Sequence, residues 1–347
     1  MIKRVLSGLR TTGPTHLGHY AGALSNWVKL QDEYECFFLL ADIQALTTHY
    51  DQPQRLEESV KEIVLDWLAI GVDPIGRENV HFVLQSRIPE IIELSVYFSL
   101  LIPLSYVERN PTIKTELAQH GKKAHTLGFL SYPVSQAADI LVFSPSPPEV
   151  GDKLVVPVGE DQIPHIELTN VIARKFHKIY SPSKPIFLEC EYLVTEVPRL
   201  VGIDGDSKMS KTLGNVIEIR EDMDSLSKKV MSMFTDPTKI HLSDSGHPLS
   251  CPVYLYDKVF SKDRNLDEIK AACEQGHLGC VSHKKMLLKD LKNFLSQIQE
   301  RRRYFEERLP LIKESILSGT AFARKIASNT MANIREAMHL DYRNLLS

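Results

Sequence analysis

Four side chains set the chemistry open to this sequence. His16 and His19 stand three residues apart with Gly18 between them, in the turn Thr15-His16-Leu17-Gly18-His19. Lys208 and Lys211 have the same spacing in the polar stretch Gly202-Ile203-Asp204-Gly205-Asp206-Ser207-Lys208-Met209-Ser210-Lys211-Thr212. Arg10-Thr11-Thr12-Gly13-Pro14 precedes the histidines and is turn chemistry, glycine freeing φ and proline fixing it. A strand that feeds such a turn delivers a helix N-terminus, whose unpaired N–H groups and partial positive charge suit a phosphate. Gly18 lets an adenine or phosphate approach with no Cβ in the way. Paired ammonium groups on a loop can close over a triphosphate and neutralise charge on a departing pyrophosphate. Each motif alone has a plain counterpart, a helix cap with two exposed histidines or a hairpin with a Lys-rich tip.

The surrounding pattern supplies the elements that must hold these groups. Ile2 to Leu6 is a short apolar strand, and a helix opens near His19 with Ala23, Leu24, Trp27, Val28 and Leu30 as its apolar residues. Cys36 to Ala41 is a continuous apolar run ending at Asp42, as expected of a strand buried on both faces. Pro53 to Gly71 predicts a helix, with Val60, Ile63, Val64, Trp67 and Leu68 on its core face. His81 to Ser86 and Leu154 to Val158 are two more buried strands. Strand, glycine turn, helix, strand, helix, strand is the order of an α/β, Rossmann-like, doubly wound parallel sheet. It predicts a catalytic domain over 1–220. Beyond residue 220 charged, helix-favouring sequence dominates, notably 266–274, 284–309 and 321–340, and predicts an α-helical C-terminal domain over 221–347.

In their order and separation, His16-Leu17-Gly18-His19 and Lys208-Met209-Ser210-Lys211 resemble the HIGH and KMSKS motifs of class I aminoacyl-tRNA synthetases. Three further runs resemble the tryptophanyl-tRNA synthetase family: Ser7 to Gly13, Tyr132-Pro133-Val134-Ser135-Gln136-Ala137-Ala138-Asp139-Ile140-Leu141, and Val156 to Thr169 with its Gly159-Glu160-Asp161-Gln162 core. The resemblance is specific from residue 1 to about 220 and looser beyond. It implies ATP, carried with Mg²⁺, and L-tryptophan as substrates, tRNA(Trp) as acceptor, and a homodimer whose helical domain reads the anticodon. It also implies that Asp139 accepts the indole N–H and that Tyr132 and Gln162 hold the amino group. The ATP-binding set would be Arg10, Thr11, Thr12, Gly18, His19, Gly159, Glu160, Asp161, Leu200, Lys208, Met209, Ser210, Lys211 and Thr212. His16, His19, Lys208 and Lys211 would be catalytic, and Lys114 is a further candidate phosphate contact. Arg10 stands where the family often has Gln, so its contact should differ there, towards a phosphate or carboxylate.

Three cysteines and a histidine form a separate set. Cys251, Cys273 and Cys280 are spaced C-x21-C-x6-C, with His283 two residues beyond. Some tryptophanyl enzymes carry an iron–sulfur cluster on four cysteines at similar spacing. Here the set could hold zinc or an unusual cluster, or be the remnant of a lost site. Cys36 falls in a core strand and Cys190 in an exposed-looking stretch, and neither suggests chemistry.

Composition bounds the remaining readings. Charged residues make up 24% of 347 residues and the net charge is −3, which advertises no global affinity for nucleic acid. Lys228-Lys229, Lys284-Lys285 with Lys289 and Lys292, and Arg301-Arg302-Arg303 are basic gatherings that read first as solvated helix faces. The apolar run at the N-terminus stops at Ser7-Gly8, too short for a secretory segment, and none approaches a membrane span, so the cytoplasm is the expected location. The rival readings are a tyrosyl-tRNA synthetase, a catalytically silent synthetase-like binding protein, and a nicotinamide dehydrogenase. The last lacks a Gly-x-Gly-x-x-Gly turn after the first strand.

Overall fold

The computed structural model describes residues 1–120, 126–194, 200–205, 209, 213–342 and 345, apart from the side chains of residues 119 and 120. Five strands lie in one parallel sheet of order β3-β2-β1-β4-β5: β1 (Lys3–Arg10), β2 (Glu35–Ala41), β3 (Val80–Leu84), β4 (Lys153–Val158) and β5 (Glu191–Val194). The chain winds outward from β1 to β3, then returns to add β4 on the opposite flank. Connections therefore diverge between β1 and β4, and a crevice opens at the C-terminal ends of these two strands. The doubly wound sheet expected from the sequence is present. β1 is longer than expected, continuing past the serine and glycine because Ser7 to Arg10 pair with Phe38 to Ala41.

Each face of the sheet is covered by helices. Helices Pro89–Ser99, Leu127–Leu141, Ile163–Tyr180 and Leu309–Ala337 pack their apolar residues over one face, around Phe37, Val83 and Val156. On the other, helix Leu56–Ile70 and residues 17–30 bury Trp27 and Trp67 against Phe38 and Phe82. The expected helix ends at Gly71 in a left-handed conformation, φ 107°. After residue 221 the structure is helical, in helices Met223–Ser232, Pro252–Phe260, Leu266–Glu274, Cys280–Glu306 and Leu309–Ala337.

These later helices share the core of the sheet. Ala323, Ala327, Met331 and Ile334 of the last helix join the first apolar layer, and Ile298 and Ile312 join the second. The last helix lies on β3 at Gly319, where a Cβ would stand 2.5 Å from the Phe82 carbonyl oxygen. Glycine is needed for that approach.

An ion network buried between helices Leu56–Ile70 and Cys280–Glu306 ties the two parts together. Arg302 donates to Asp66, to the Glu62 carboxylate at 2.7 Å and to the Glu62 carbonyl at 3.2 Å. The other Asp66 oxygen accepts from Thr15 N at 2.8 Å and from the Thr15 hydroxyl. Arg302, Glu62, Asp66 and Thr15 are all buried. The reading of Arg301-Arg302-Arg303 as a solvated face thus fails at Arg302, because its guanidinium is the counter-charge for two buried carboxylates. Arg302→Leu takes the guanidinium from Asp66 and leaves Glu62 with Arg220 alone, and should destabilise the fold by about 3–5 kcal/mol. The urea midpoint should fall, and Asp66→Asn in the same chain should recover part of the loss. An unchanged midpoint for Arg302→Leu would show that the network contributes nothing to stability.

Candidate active site

A cleft of ≈ 780 Å³ occupies the crevice at the ends of β1 and β4. Its walls bring together Arg10, Thr12, His16, Gly18, His19, Tyr132, Asp139, Gly159, Glu160, Asp161, Gln162, Leu200 and Met209. Thr11 is buried and is not among the lining residues. Lys114 is exposed on helix Pro111–His120 and does not line the cleft. Lys208, Ser210, Lys211 and Thr212 lie outside the described residues.

The histidine turn is built by reciprocal capping. His16 is the N-cap of a short helix Leu17–His19, and its Nδ1 accepts from the His19 backbone N–H at 3.3 Å. His19 Nδ1 accepts in turn from the His16 backbone N–H, also at 3.3 Å. The two rings stack with centroids 3.7 Å apart. Both Nδ1 atoms are acceptors, so each neutral ring carries its proton on Nε2, the donor tautomer a phosphate oxygen needs. A Cβ on Gly18 would meet the His16 ring and the Met209 sulfur at 3.0 Å, so glycine keeps this corner open. The following turn, Tyr20–Leu24, is π-helical, and its Gly22 and Ala23 line the cleft.

Backbone pairing holds the lysine motif's flank to the histidine turn. Leu17 N donates to Ile217 O at 2.9 Å, and Ile219 N to Thr15 O at 3.0 Å. The base of the loop is closed by Ile203 N to Asn215 O at 3.0 Å. Met209 is buried with Leu17, Leu200 and Val216 in a third apolar cluster, which continues into Leu226, Tyr256 and Leu287 of the later helices.

At another part of the cleft Asp139 is 3% exposed, on helix Leu127–Leu141. Gln85 Nε2 donates to its Oδ1 at 2.7 Å and Gln44 Nε2 to its Oδ2 at 2.6 Å. Burial pushes the carboxyl up to about 7, although the two amide donors pull it down. Two glutamines thus aim one carboxylate into an otherwise apolar wall. Sequence reasoning missed both. The available signal was a polar residue at the C-terminal end of a buried strand, Gln85 after Leu84, where sites on such sheets lie.

A second polar chain crosses the opposite wall. Tyr132 donates to Glu116 at 2.8 Å and also lies 2.9 Å from His165 Nε2. His165 is fully buried, and burial lowers its pKa to about 4, so the ring is neutral. Glu116 also accepts from Arg10 at 3.4 Å. Glu116, His165 and their partner Asn110 are further residues that sequence reasoning missed.

The structure does not support a metal centre at the cysteine set. Among the described residues no three His, Cys, Asp or Glu side chains are grouped to hold a metal ion. Cys251, Cys273, Cys280 and His283 do line one cavity, but its volume is ≈ 20 Å³, room for about one water and not for a cluster. His283 Nε2 is engaged with Asp257 Oδ2 at 2.5 Å. Lys284, expected on a solvated face, is buried beside them, donating to Met233 O at 2.6 Å and Thr235 Oγ1 at 2.6 Å. The cavity has no room for a cluster and His283 is engaged with Asp257, so neither zinc nor an iron–sulfur cluster is supported at these four residues. Cys190 is likewise buried, its backbone N–H donating to Asn170 at 2.8 Å.

The family model described as tRNA synthetases class I (W and Y) matches residues 3–296. The tryptophan–tRNA ligase of Thermotoga maritima is 44% identical over 97% of this chain and 99% of its own length. That of Aquifex aeolicus is 39% identical over 97% and 100%. Among solved structures, a tryptophanyl-tRNA synthetase from Campylobacter jejuni complexed with ADP and tryptophane superposes with a TM-score of 0.79. It is 30% identical, covering 97% of this chain and 100% of that one.

The carboxyl of Asp139 sets a pH expectation. A raised carboxyl is ionised only above about 7, and an N–H donor binds its ionised form best. With tryptophan as the probe, calorimetric affinity should fall as pH drops from 8 to 5.5, by up to about tenfold per unit below 7. Asp139→Asn should flatten the profile. A slope that survives in Asp139→Asn would assign it to another group.

Proposed function

The chain belongs to the class I tRNA synthetases for tryptophan and tyrosine and is an ATP-dependent ligase that joins tryptophan to tRNA; we propose that the cleft at β1 and β4 is where it does so. One observation carries this assignment. A single crevice joins the capped histidine pair and Met209 of the lysine motif to a buried carboxylate suited to an indole N–H.

In this reading the tryptophan carboxylate attacks the α-phosphate of ATP, supplied as its magnesium complex. The P–O bond to pyrophosphate breaks and the aminoacyl adenylate forms. A hydroxyl of the tRNA 3′-terminal ribose then attacks the carbonyl, releasing AMP and the charged tRNA. No covalent bond to the enzyme is needed, so rate comes from positioning and charge stabilisation. The Nε2–H groups of His16 and His19 face the phosphates. Lys208 and Lys211 take the charge that develops on pyrophosphate, with Ser210 and Thr212 beside them. Gly159, Glu160 and Asp161 run along the ribose, while Gly18, Leu200 and Met209 meet the adenine. Thr12 stands beside the phosphates, Arg10 stands where the phosphates meet the amino acid's carboxylate, and Thr11 supports that turn from inside the fold. Asp139 selects the side chain, since an unpaired buried acceptor would penalise one without a donor. Tyr132 and Gln162 hold the amino group.

Among the described residues no helix is long and apolar enough to cross a membrane. An enzyme that charges tRNA works where translation runs, and we place it in the cytoplasm. Residues 221–347 would form the anticodon-reading region. A homodimer would cover the apolar side chains exposed along 92–106, Ile92, Val96, Leu100, Leu104 and Tyr106.

ATP–pyrophosphate exchange tests the assignment: it should depend on tryptophan and not on tyrosine. Exchange driven by tyrosine instead would overturn it. His19→Ala should lower kcat by about 10²–10³ with a smaller change in the KM for tryptophan, as when one transition-state donor is removed. The dimer is tested by sedimentation, where Val96→Glu should shift the protein to a monomer. A monomer before substitution would rule the dimer out.

A further inference from the structure

The charged end of an amino acid is a zwitterion, and this cleft contains a matching pair of opposite charges. Arg10 ends β1 and Glu116 stands on helix Pro111–His120, and both line the cleft. They are 3.4 Å apart with side chains 36% and 15% exposed, a pair that solvent already screens and that separates at little cost.

The hydrogen-bond chain behind Glu116 fixes which way its protons point. Asn110 Oδ1 accepts from Thr112 N at 3.0 Å and Ile113 N at 3.4 Å, so its Nδ2 is the atom presented to His165 Nδ1, at 3.4 Å. The His165 ring is neutral, so with Nδ1 accepting, its proton sits on Nε2 and is donated to the Tyr132 oxygen at 2.9 Å. The Tyr132 hydroxyl proton is then committed to Glu116 Oε2 at 2.8 Å. At this wall Glu116 and Tyr132 offer lone pairs and no free proton. That is the complement of an ammonium, which has three donors and no acceptor.

We propose that Arg10 and Glu116 are the receptor for the charged end of the amino acid, Glu116 taking the α-ammonium and Arg10 the carboxylate. The inference rests on the tryptophan-activating reading above. Substrate replaces the Arg10–Glu116 pair by two pairs of the same kind. Tyr132 contributes its remaining lone pair to the ammonium and is held in that role by the buried His165.

Two analogues that each keep one charge provide the test. Tryptamine has the ammonium without the carboxylate, and indole-3-propionate has the carboxylate without the ammonium. Their inhibition constants are measured against tryptophan in ATP–pyrophosphate exchange, with direct calorimetric binding in parallel. Glu116→Gln should weaken tryptamine by about tenfold or more, the scale of a lost hydrogen bond to a charged group. It should change indole-3-propionate by less than about twofold, and Arg10→Gln should show the reverse pattern. Glu116→Asp keeps the charge and should recover part of the tryptamine affinity. If both analogues move together in each variant, or neither moves, the inference is wrong while the parent reading stands. Exchange driven by tyrosine in the unsubstituted protein would instead sink the parent reading.

Discussion

The contact on which the histidine turn depends is made outside the cleft, between Asp66 and Arg302. Asp66 receives the Thr15 N–H and hydroxyl on one oxygen and Arg302 on the other. Thr15 immediately precedes His16, so the histidine turn hangs from a carboxylate on helix Leu56–Ile70. Helix Cys280–Glu306 supplies the guanidinium that pairs with that carboxylate. Burial pushes the Asp66 carboxyl up, and Arg302 and Thr15 pull it back. Residues 15, 66 and 302 come from three separate stretches of chain. All three hold the turn, together with the backbone bonds of Leu17 and Thr15 to Ile217 and Ile219.

Physical constraints of the same kind shape the cleft itself. Asp139 is buried in an apolar wall and carries two amide donors, Gln44 from helix Asp42–His49 after β2 and Gln85 from the turn after β3. Its folded pKa is raised above that of an unfolded aspartate. Stability is therefore unaffected where the carboxyl is protonated in both states, is lost as pH rises towards 7, and stays lost above it. Under the role proposed for Asp139, that cost leaves the wall with an acceptor that penalises a side chain lacking an N–H donor. On the other wall the chain Asn110, His165, Tyr132, Glu116 is satisfied at each step, which is the condition for burying so many polar atoms at once.

What the sequence made legible follows from which signals are local. Apolar runs such as Cys36–Ala41 and Leu154–Val158 announce strands buried on both faces, because a parallel sheet covered by helices leaves no polar side. The turn at His16 to His19 and the Asp139 stretch were readable because short, close-range motifs carry them. Lys284 and Arg302 misled because a charge on a helix face looks solvated until its partners are known. Those partners, Met233 with Thr235 and Glu62 with Asp66, are remote in sequence. Glu116 was invisible for the same reason, since nothing near it in sequence announces Arg10 or Tyr132. The cysteines show the converse limit. Their spacing was readable, but spacing does not report the ≈ 20 Å³ of room or the Asp257 that holds His283.

The backbone pairing of residues 215–219 with 15–17 gives the two motifs a common mechanical base. Ile217 and Ile219 are both buried, and they belong to different apolar clusters. Ile217 packs with Leu226, Tyr256 and Leu287 of the later helices, whereas Ile219 packs with Val5 and Trp27 beside the sheet. Leu17 N binds the first of these residues and Thr15 O the second. The histidine turn is thus bonded to a strip of chain that is itself divided between two cores. Helix Cys280–Glu306 bridges the same two cores, with Leu287, Leu291 and Leu295 in one and Ile298 in the other, so the turn is held to the packing of both.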